Sequence, residues 1–192
     1  MDEERDFFLS THWCAKLLND AEFVPRPTPS RKYKSTTEDA LLAQTLKTED
    51  TISAVTTFYR KPAPGASDVK EVRMLVSLEY GVNGWAHMAH GGIVGAILDE
   101  AMGTLATINS QLQKHPRNGD DGQPIANMVT AYLKVTYLKP VVTPQIILAT
   151  ANLKEIRGTK HYIDGEMKDA DGTILAKAES LWLGLRKGRA ML

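Results

Sequence analysis

The stretch that decides the fold reads His90-Gly91-Gly92-Ile93-Val94-Gly95-Ala96-Ile97-Leu98-Asp99-Glu100-Ala101-Met102-Gly103. It is the one long apolar run that predicts a helix, and the segments around it are typical of strands. At steps of three and four, small residues line one face of this helix, so something must approach that face closely. Asp99 lies in the middle of it. An ionised carboxylate is costly in such packing unless it is paired, hydrogen-bonded or catalytic.

Strands are predicted on both sides of the helix. Two precede it, at 51–60 and 71–80, and four follow, at about 125–138, 144–157, 160–169 and 173–186. They are rich in β-branched and aromatic residues, and Asp171-Gly172 favours a tight hairpin between the last two. Successive hairpins form an antiparallel sheet, one face of which a single helix can cover. We therefore expect an α+β fold at residues 51–192, with a curved antiparallel sheet of about six strands wrapped around one long central helix.

Residues 1–50 are expected to be a helical extension packed on that domain. Leu9, Trp13 and Leu17 have helical spacing and predict a short helix over 6–19. Prolines then enforce an extended segment between residues 25 and 29. A second short helix is predicted from Ser35, which has capping-box spacing with Glu38.

The composition restricts the possible partners. Lys+Arg and Asp+Glu are both 23, which argues against nucleic acid or an anionic membrane as a partner and weakly favours an oligomer. No apolar run approaches the ~20 residues that span a bilayer. A single cysteine, Cys14, fits a reducing compartment. The acidic start fits neither a signal peptide nor a transit peptide, so we expect a cytoplasmic protein, with a mitochondrial location as the remaining alternative.

The start of the helix is a candidate site for stabilising negative charge. A helix N-terminus presents unpaired N–H groups and a partial positive charge, and glycines at 91 and 92 allow a substrate to approach the backbone. The Gly91 N–H could therefore donate to an oxyanion, with simple close packing as the alternative. His90 could be a general base or a helix cap.

The His-Gly-Gly motif, followed by Asp nine residues after the His in a small-residue helix, resembles the hot-dog-fold acyl-CoA thioesterase superfamily, especially its PaaI-like and THEM-type branch. A second similar segment is Met128–Pro140, in which Thr130 lies ten residues before the Pro. The resemblance covers residues 51–187. It implies hydrolysis of an acyl-CoA to free acid and CoA, as in lipid metabolism, without a cofactor. It also implies a homodimer or a dimer of dimers whose site lies between subunits.

The resemblance also implies roles for individual residues. Asp99 would be the general base or the nucleophile, two routes that the sequence does not separate. Thr130 would orient the attacking water, and the Gly91 N–H would hold the oxyanion, with Gly92 beside it. His90 would mainly shape the substrate site.

Substrate-binding residues are predicted at two further places. Relatives in this branch carry an Asn six residues before the motif His, where this chain has Gly84; Asn83, one position earlier, is the substitute. In the predicted turn Arg157-Gly158-Thr159-Lys160, Arg157 and Lys160 could contact the phosphates of coenzyme A. Lys160 resembles the basic residue that relatives use near the nucleotide.

Two other functions on the same fold compete with thioester hydrolysis. Hot-dog hydratases pair an Asp with a His about five residues later, but here that position is Thr104. A non-catalytic acyl-CoA-binding or lipid-binding protein is the second rival, and intact Asp99 and Thr130 argue only mildly against it.

Glu100 is a competing carboxylate, about 100° around the helix from Asp99. No metal-ligand spacing is present, so neither a metal nor a cofactor is expected.

Overall fold

The structure is a computed structural model that describes residues 3–112 and 125–186. Its helices are α1 (Glu3–Leu9), α2 (His12–Leu18) and α3 (Gly91–Leu112). Before α3 come the strands β1 (Phe23–Arg26), β2 (Ile52–Arg60), β3 (Glu71–Leu78), β4 (Asn83–Trp85) and β5 (Met88–Ala89). After it come β6 (Ile125–Tyr137), β7 (Gln145–Arg157), β8 (Lys160–Lys168) and β9 (Ile174–Arg186).

Seven strands form one antiparallel sheet in the order β1-β2-β3-β7-β8-β9-β6. The central helix α3 packs on one face, against β3, β6, β7, β8 and β9. The predicted sheet and central helix are thereby confirmed. The additional strand is β1, which lies in the N-terminal extension and pairs with the end of β2. Residues 81–89, predicted to be a loop, include the small β4-β5 hairpin that leads into α3.

The core lies between α3 and the sheet. Val94, Leu98, Ala101, Met102 and Leu105 of α3 are buried there. By length and composition α3 could cross a membrane, which differs from the expectation that no apolar run is long enough. The reason is that its 22 residues carry only two charges, on adjacent carboxylates. In the structure its large apolar side chains pack against the sheet instead.

The first part of the N-terminal extension, residues 3–26, covers the opposite face of the sheet. Its apolar side chains form a second core with those of β2 and β3: Phe8, Cys14, Leu18 and Phe23 pack with Ala54, Phe58 and Leu75. The single helix predicted over 6–19 is two helices. They break at Ser10, whose hydroxyl donates to the Phe7 carbonyl at 2.6 Å and so competes with helical hydrogen bonding.

The helix predicted from Ser35 is replaced by a π-helical turn, Leu41–Thr45. The expected capping box does not form, because the Glu38 carboxylate accepts a hydrogen bond from Lys34 Nζ at 2.7 Å. The extension therefore has its α-helices only near its start, and it also contributes an edge strand to the sheet.

Candidate active site

Asp99 and Thr130 meet between the central helix and the edge strand β6. The Thr130 hydroxyl donates to Asp99 Oδ1 at 2.9 Å. Asp99 is half-buried and Thr130 is exposed, so the pair remains accessible from solvent. A carboxylate held by one hydroxyl in this way can take a proton from water or attack a carbonyl carbon.

The environment of Asp99 favours its protonated form relative to a free carboxyl group. Burial raises the pKa of Asp99, and the hydrogen bond from Thr130 lowers it by a smaller amount. A carboxylate with a raised pKa is a stronger base than an ordinary one, as general-base catalysis requires.

A β-bulge turns Thr130 toward the helix. Simple alternation would place Thr130 on the same face as Tyr132, Lys134 and Thr136. The pairing of β6 with β9 shifts between Thr130 and Tyr132, so Ala131 is an extra residue. A bulge of this kind re-aims the side chain beside it. Thr130 therefore faces α3, as do residues 135 and 137 farther along the strand.

The first turn of α3 leaves one N–H group available. The Gly92 N–H donates to His90 Nδ1 at 2.9 Å, and the N–H groups of Ile93 and Val94 both donate to the His90 carbonyl. For the Gly91 N–H, the described residues provide no acceptor. Gly91 is thus the donor at this helix start that is available to a ligand; its role as an oxyanion donor stays a prediction.

His90 acts as a side-chain cap in this arrangement. Because its Nδ1 accepts a hydrogen bond, that nitrogen carries no proton, and the proton of the neutral ring lies on Nε2. Nδ1 is therefore already engaged and is unsuited to act as a base. This geometry favours a role for His90 in shaping the helix start.

The small-residue face of α3 is packed against the chain's own strands. Three glycines at four- and eight-residue steps lie against side chains of β6 and β9. A Cβ on each would lie 3.4 Å from Tyr137 at Gly91, 3.9 Å from Val135 at Gly95, and 2.6 Å from Trp182 at Gly103. Asp99 falls in the same series. The close approach predicted for this face is therefore explained within one chain.

Glu100 has different neighbours from Asp99. Its Oε1 accepts a hydrogen bond from the buried Ser30 hydroxyl at 2.5 Å, and burial raises its pKa. The carboxylate borders a small cavity of about 10 Å³ between α3, β2, β3 and the extension, room for about one water molecule. Glu100 thus contacts the N-terminal extension, whereas Asp99 contacts β6.

Asn83 and Gly84 form part of the support for the helix start. Asn83 Oδ1 accepts a hydrogen bond from the buried Thr143 hydroxyl at 2.5 Å. Gly84 packs directly on His90, since a Cβ there would lie 2.8 Å from His90 Cδ2. Glycine at this position is therefore required by packing. The structure does not bring Asn83 to the Asp99–Thr130 pair.

Arg157 and Lys160 flank the turn between β7 and β8. Arg157 donates to Glu155 at 2.7 Å and lies over the Tyr162 ring. Lys160 is exposed and has no ion pair within the described residues. Because its neighbour His161 points into the core with 0% exposure, alternation places Lys160 on the face turned away from α3. Within one chain, neither cation lies beside Asp99.

Comparison with known proteins shows what the central region of the chain resembles. Residues 86–176 match the model of the thioesterase superfamily. Over this segment the chain is similar to that superfamily. The chain is also 27% identical over 164 residues to verlamelin biosynthesis protein B of Lecanicillium sp., a match that covers 74% of this chain and 71% of that protein.

Solved structures of other proteins share the fold. One is a hypothetical thioesterase with coenzyme A from Streptococcus pneumoniae, 16% identical with a TM-score of 0.50, covering 64% of this chain and 89% of that one. Another is smu.793 from Streptococcus mutans bound to acetyl CoA, also 16% identical with a TM-score of 0.50, covering 62% and 85%. Such identities show the hot-dog fold alone. Membership of the PaaI-like and THEM-type branch stays a prediction.

One residue that contacts the start of α3 was not predicted from the sequence. The Tyr137 hydroxyl donates to the Gly91 carbonyl at 2.9 Å, although no role was predicted for it. It lies in the Met128–Pro140 segment. Alternation could not reveal its orientation, because the bulge at Ala131 changes which side chains of β6 face the helix.

Among the described residues, no group of three His, Cys, Asp or Glu side chains could hold a metal ion.

Proposed function

We propose that this thioesterase-superfamily protein hydrolyses an acyl-CoA to a free acid and CoA. Asp99 acts as the general base for water, or attacks the thioester carbonyl itself, and Thr130 orients the reacting group. The Gly91 N–H stabilises the oxyanion that forms on the carbonyl oxygen. The observation that carries this proposal is the Thr130–Asp99 hydrogen bond at a solvent-accessible edge of the helix.

The substrate class is supported by the neighbours in fold. Two of them were solved with coenzyme A or acetyl CoA. Lys160 and Arg157 are exposed cations that could contact phosphates of the nucleotide. Gly92, like Gly91, leaves room for the thioester to approach the helix start.

The proposed site needs two chains. Gly91 and Asp99 are eight positions apart on one helix, about 12 Å along its axis. The oxyanion donor and the catalytic carboxylate each act within about 3 Å of the reacting carbonyl group or its water, so together they must lie closer than this distance. The Gly91 of one protomer therefore acts with Asp99 and Thr130 of its partner. The small-residue face of α3 gives no further support for a dimer, because β6 and β9 of the same chain pack against its glycines.

The free edge of β6 is the surface that supports a homodimer. Its 13 residues form the end of the sheet, and no strand in residues 3–112 or 125–186 pairs with its outer side. A long unpaired edge favours strand pairing with another chain. Tyr132 and Tyr137 on this strand are half-exposed. A second copy pairing there would place the two α3 helices near each other.

The test is release of free thiol from a panel of acyl-CoAs with short, long and aromatic acyl groups. The assay has little protein background, because Cys14 is fully buried and burial raises its pKa to about 12. We expect thiol release by the wild type and strong loss in Thr130→Val. Binding of acyl-CoA without release would identify a non-catalytic binding protein. Hydration of an enoyl-CoA without thiol release would identify a hydratase.

A further inference from the structure

Tyr137 contacts the first residue of α3 in two ways. Its hydroxyl donates to the Gly91 carbonyl at 2.9 Å. Its ring carbons Cζ and Cε1 lie 3.4 and 3.5 Å from the point where a Cβ on Gly91 would be. The ring is thus packed on the Gly91 Cα while the hydroxyl holds the following peptide group. Both contacts come from the last residue of β6.

These contacts restrain the part of the helix start that has the most conformational freedom. Two consecutive glycines lack the side chains that limit backbone rotation. His90 Nδ1 accepts the Gly92 N–H, and the His90 ring is itself packed on Gly84. Together with the Tyr137 hydrogen bond, this holds both ends of the peptide group that joins Gly91 to Gly92. The Gly91 N–H, which has no acceptor among the described residues, belongs to the preceding peptide group and is joined to the held one through the Gly91 Cα, on which the Tyr137 ring packs.

We propose that Tyr137 is a positioning residue that fixes the direction of the Gly91 N–H toward the oxyanion. This inference rests on the proposed thioester hydrolysis. A donor stabilises developing charge best when it is already oriented before the reaction, so that no reorganisation is needed. Tyr137 supplies that orientation without contacting the reacting atoms.

A purely structural role for the same hydrogen bond makes a different prediction. If the bond only joined β6 to α3, its loss would lower stability and leave the turnover of each folded molecule unchanged. If it orients the oxyanion donor, its loss lowers kcat and leaves acyl-CoA binding nearly unchanged, because the oxyanion exists only in the transition state.

The experiment compares Tyr137→Phe with Tyr33→Phe. The first removes only the hydroxyl and keeps the ring over Gly91. The second removes the hydroxyl of a tyrosine that is exposed in the N-terminal extension, outside the proposed site and the β6 edge. We expect Tyr137→Phe to lower kcat roughly 10-fold, since small misplacements of a catalytic group have large effects. KM should change less than about twofold, and Tyr33→Phe should behave like the wild type.

A second readout does not depend on turnover. In protein labelled with ¹⁵N-glycine, the amide signals of Gly91 and Gly92 should shift in Tyr137→Phe and stay in place in Tyr33→Phe. Unchanged kcat per folded molecule in Tyr137→Phe, in an active wild type, would overturn the role of Tyr137 alone. Unshifted glycine signals would also overturn it. A wild type that releases no thiol would instead overturn the proposed function.

Discussion

Asp99 and Glu100 are adjacent in the chain, yet their carboxylates accept hydrogen bonds from opposite parts of the fold. Thr130 on β6 donates to Asp99, and Ser30 in the N-terminal extension donates to Glu100. Burial raises the pKa of both groups, so pKa alone does not identify the catalytic one. The proposed assignment to Asp99 rests instead on position, because Asp99 shares the helix face that contacts β6 and accepts the Thr130 hydroxyl.

This pair gives a matched test of the catalytic carboxylate. Asp99→Asn keeps an oxygen that can accept the Thr130 hydroxyl but removes the base. We expect kcat to fall by roughly 10²–10⁴ with the fold and acyl-CoA binding retained. Glu100→Gln keeps the acceptor for Ser30 and should retain turnover within about threefold. Steady-state kinetics decide, and the reverse pattern would assign catalysis to Glu100.

Asp99 should also make stability depend on pH. Its folded-state pKa is raised, so the folded protein holds this proton more tightly than the unfolded chain does. The stability this contributes is present below the unfolded pKa and is lost as pH rises through the folded pKa. The free energy of unfolding of Asp99→Asn minus that of the wild type should therefore be larger at pH 7 than at pH 4. Urea unfolding at both values measures this, and a pH-independent difference would contradict it.

Two glycines of α3 should respond oppositely to alanine. A Cβ on Gly103 would lie 2.6 Å from the rigid Trp182 ring, whereas one on Gly95 would lie 3.9 Å from Val135. We expect Gly103→Ala to destabilise the fold by about 1–3 kcal/mol. Gly95→Ala should be neutral or should stabilise by up to ~1 kcal/mol through helix propensity. Denaturant midpoints test both, and equal effects would mean that Trp182 moves aside without cost.

Lys160→Ala tests the proposed contact with coenzyme A. We expect a higher KM for acyl-CoA and a nearly unchanged kcat, with an effect that shrinks as salt is raised. A pantetheine thioester, which lacks the nucleotide, should show no change. Lys154→Ala is the matched control, since Lys154 is exposed and already paired with Asp164 at 2.8 Å. An unaltered KM for acyl-CoA would remove Lys160 from the site.

The shared site can be tested by mixing two inactive variants. Gly91→Pro removes the oxyanion donor at a position where helices tolerate proline, and Asp99→Asn removes the carboxylate. Each homodimer should be nearly inactive. A mixed dimer has one site with both changes and one with neither, so co-refolded mixtures should recover about a quarter of wild-type activity. Gly91→Pro must first be shown to fold and dimerise. If it does and mixing restores nothing, each site belongs to one chain.

The sheet, the central helix and the principal candidate pair followed from the sequence, for identifiable reasons. The strand segments alternate apolar and polar residues or are rich in β-branched residues, and the helix has small residues at helical spacing. Thr130 is implied by the family resemblance, through its ten-residue spacing from Pro140. The bulge at Ala131 was not predictable, because no glycine or proline marks it. The contacts of Ser30 with Glu100 and of β1 with β2 join distant segments, which periodicity does not reveal.

The packing of the N-terminal extension has a consequence for the order in which the protein matures. Phe8, Cys14 and Leu18 are synthesised before the surface they cover, which is built from β2 and β3 with Ile146 and Leu148 of β7 at its border. Most of the chain must be synthesised before that surface exists. Until then these apolar side chains have no native partner and are exposed to nonspecific association. These side chains, although made before their partners, are therefore expected to be among the last to reach their final place.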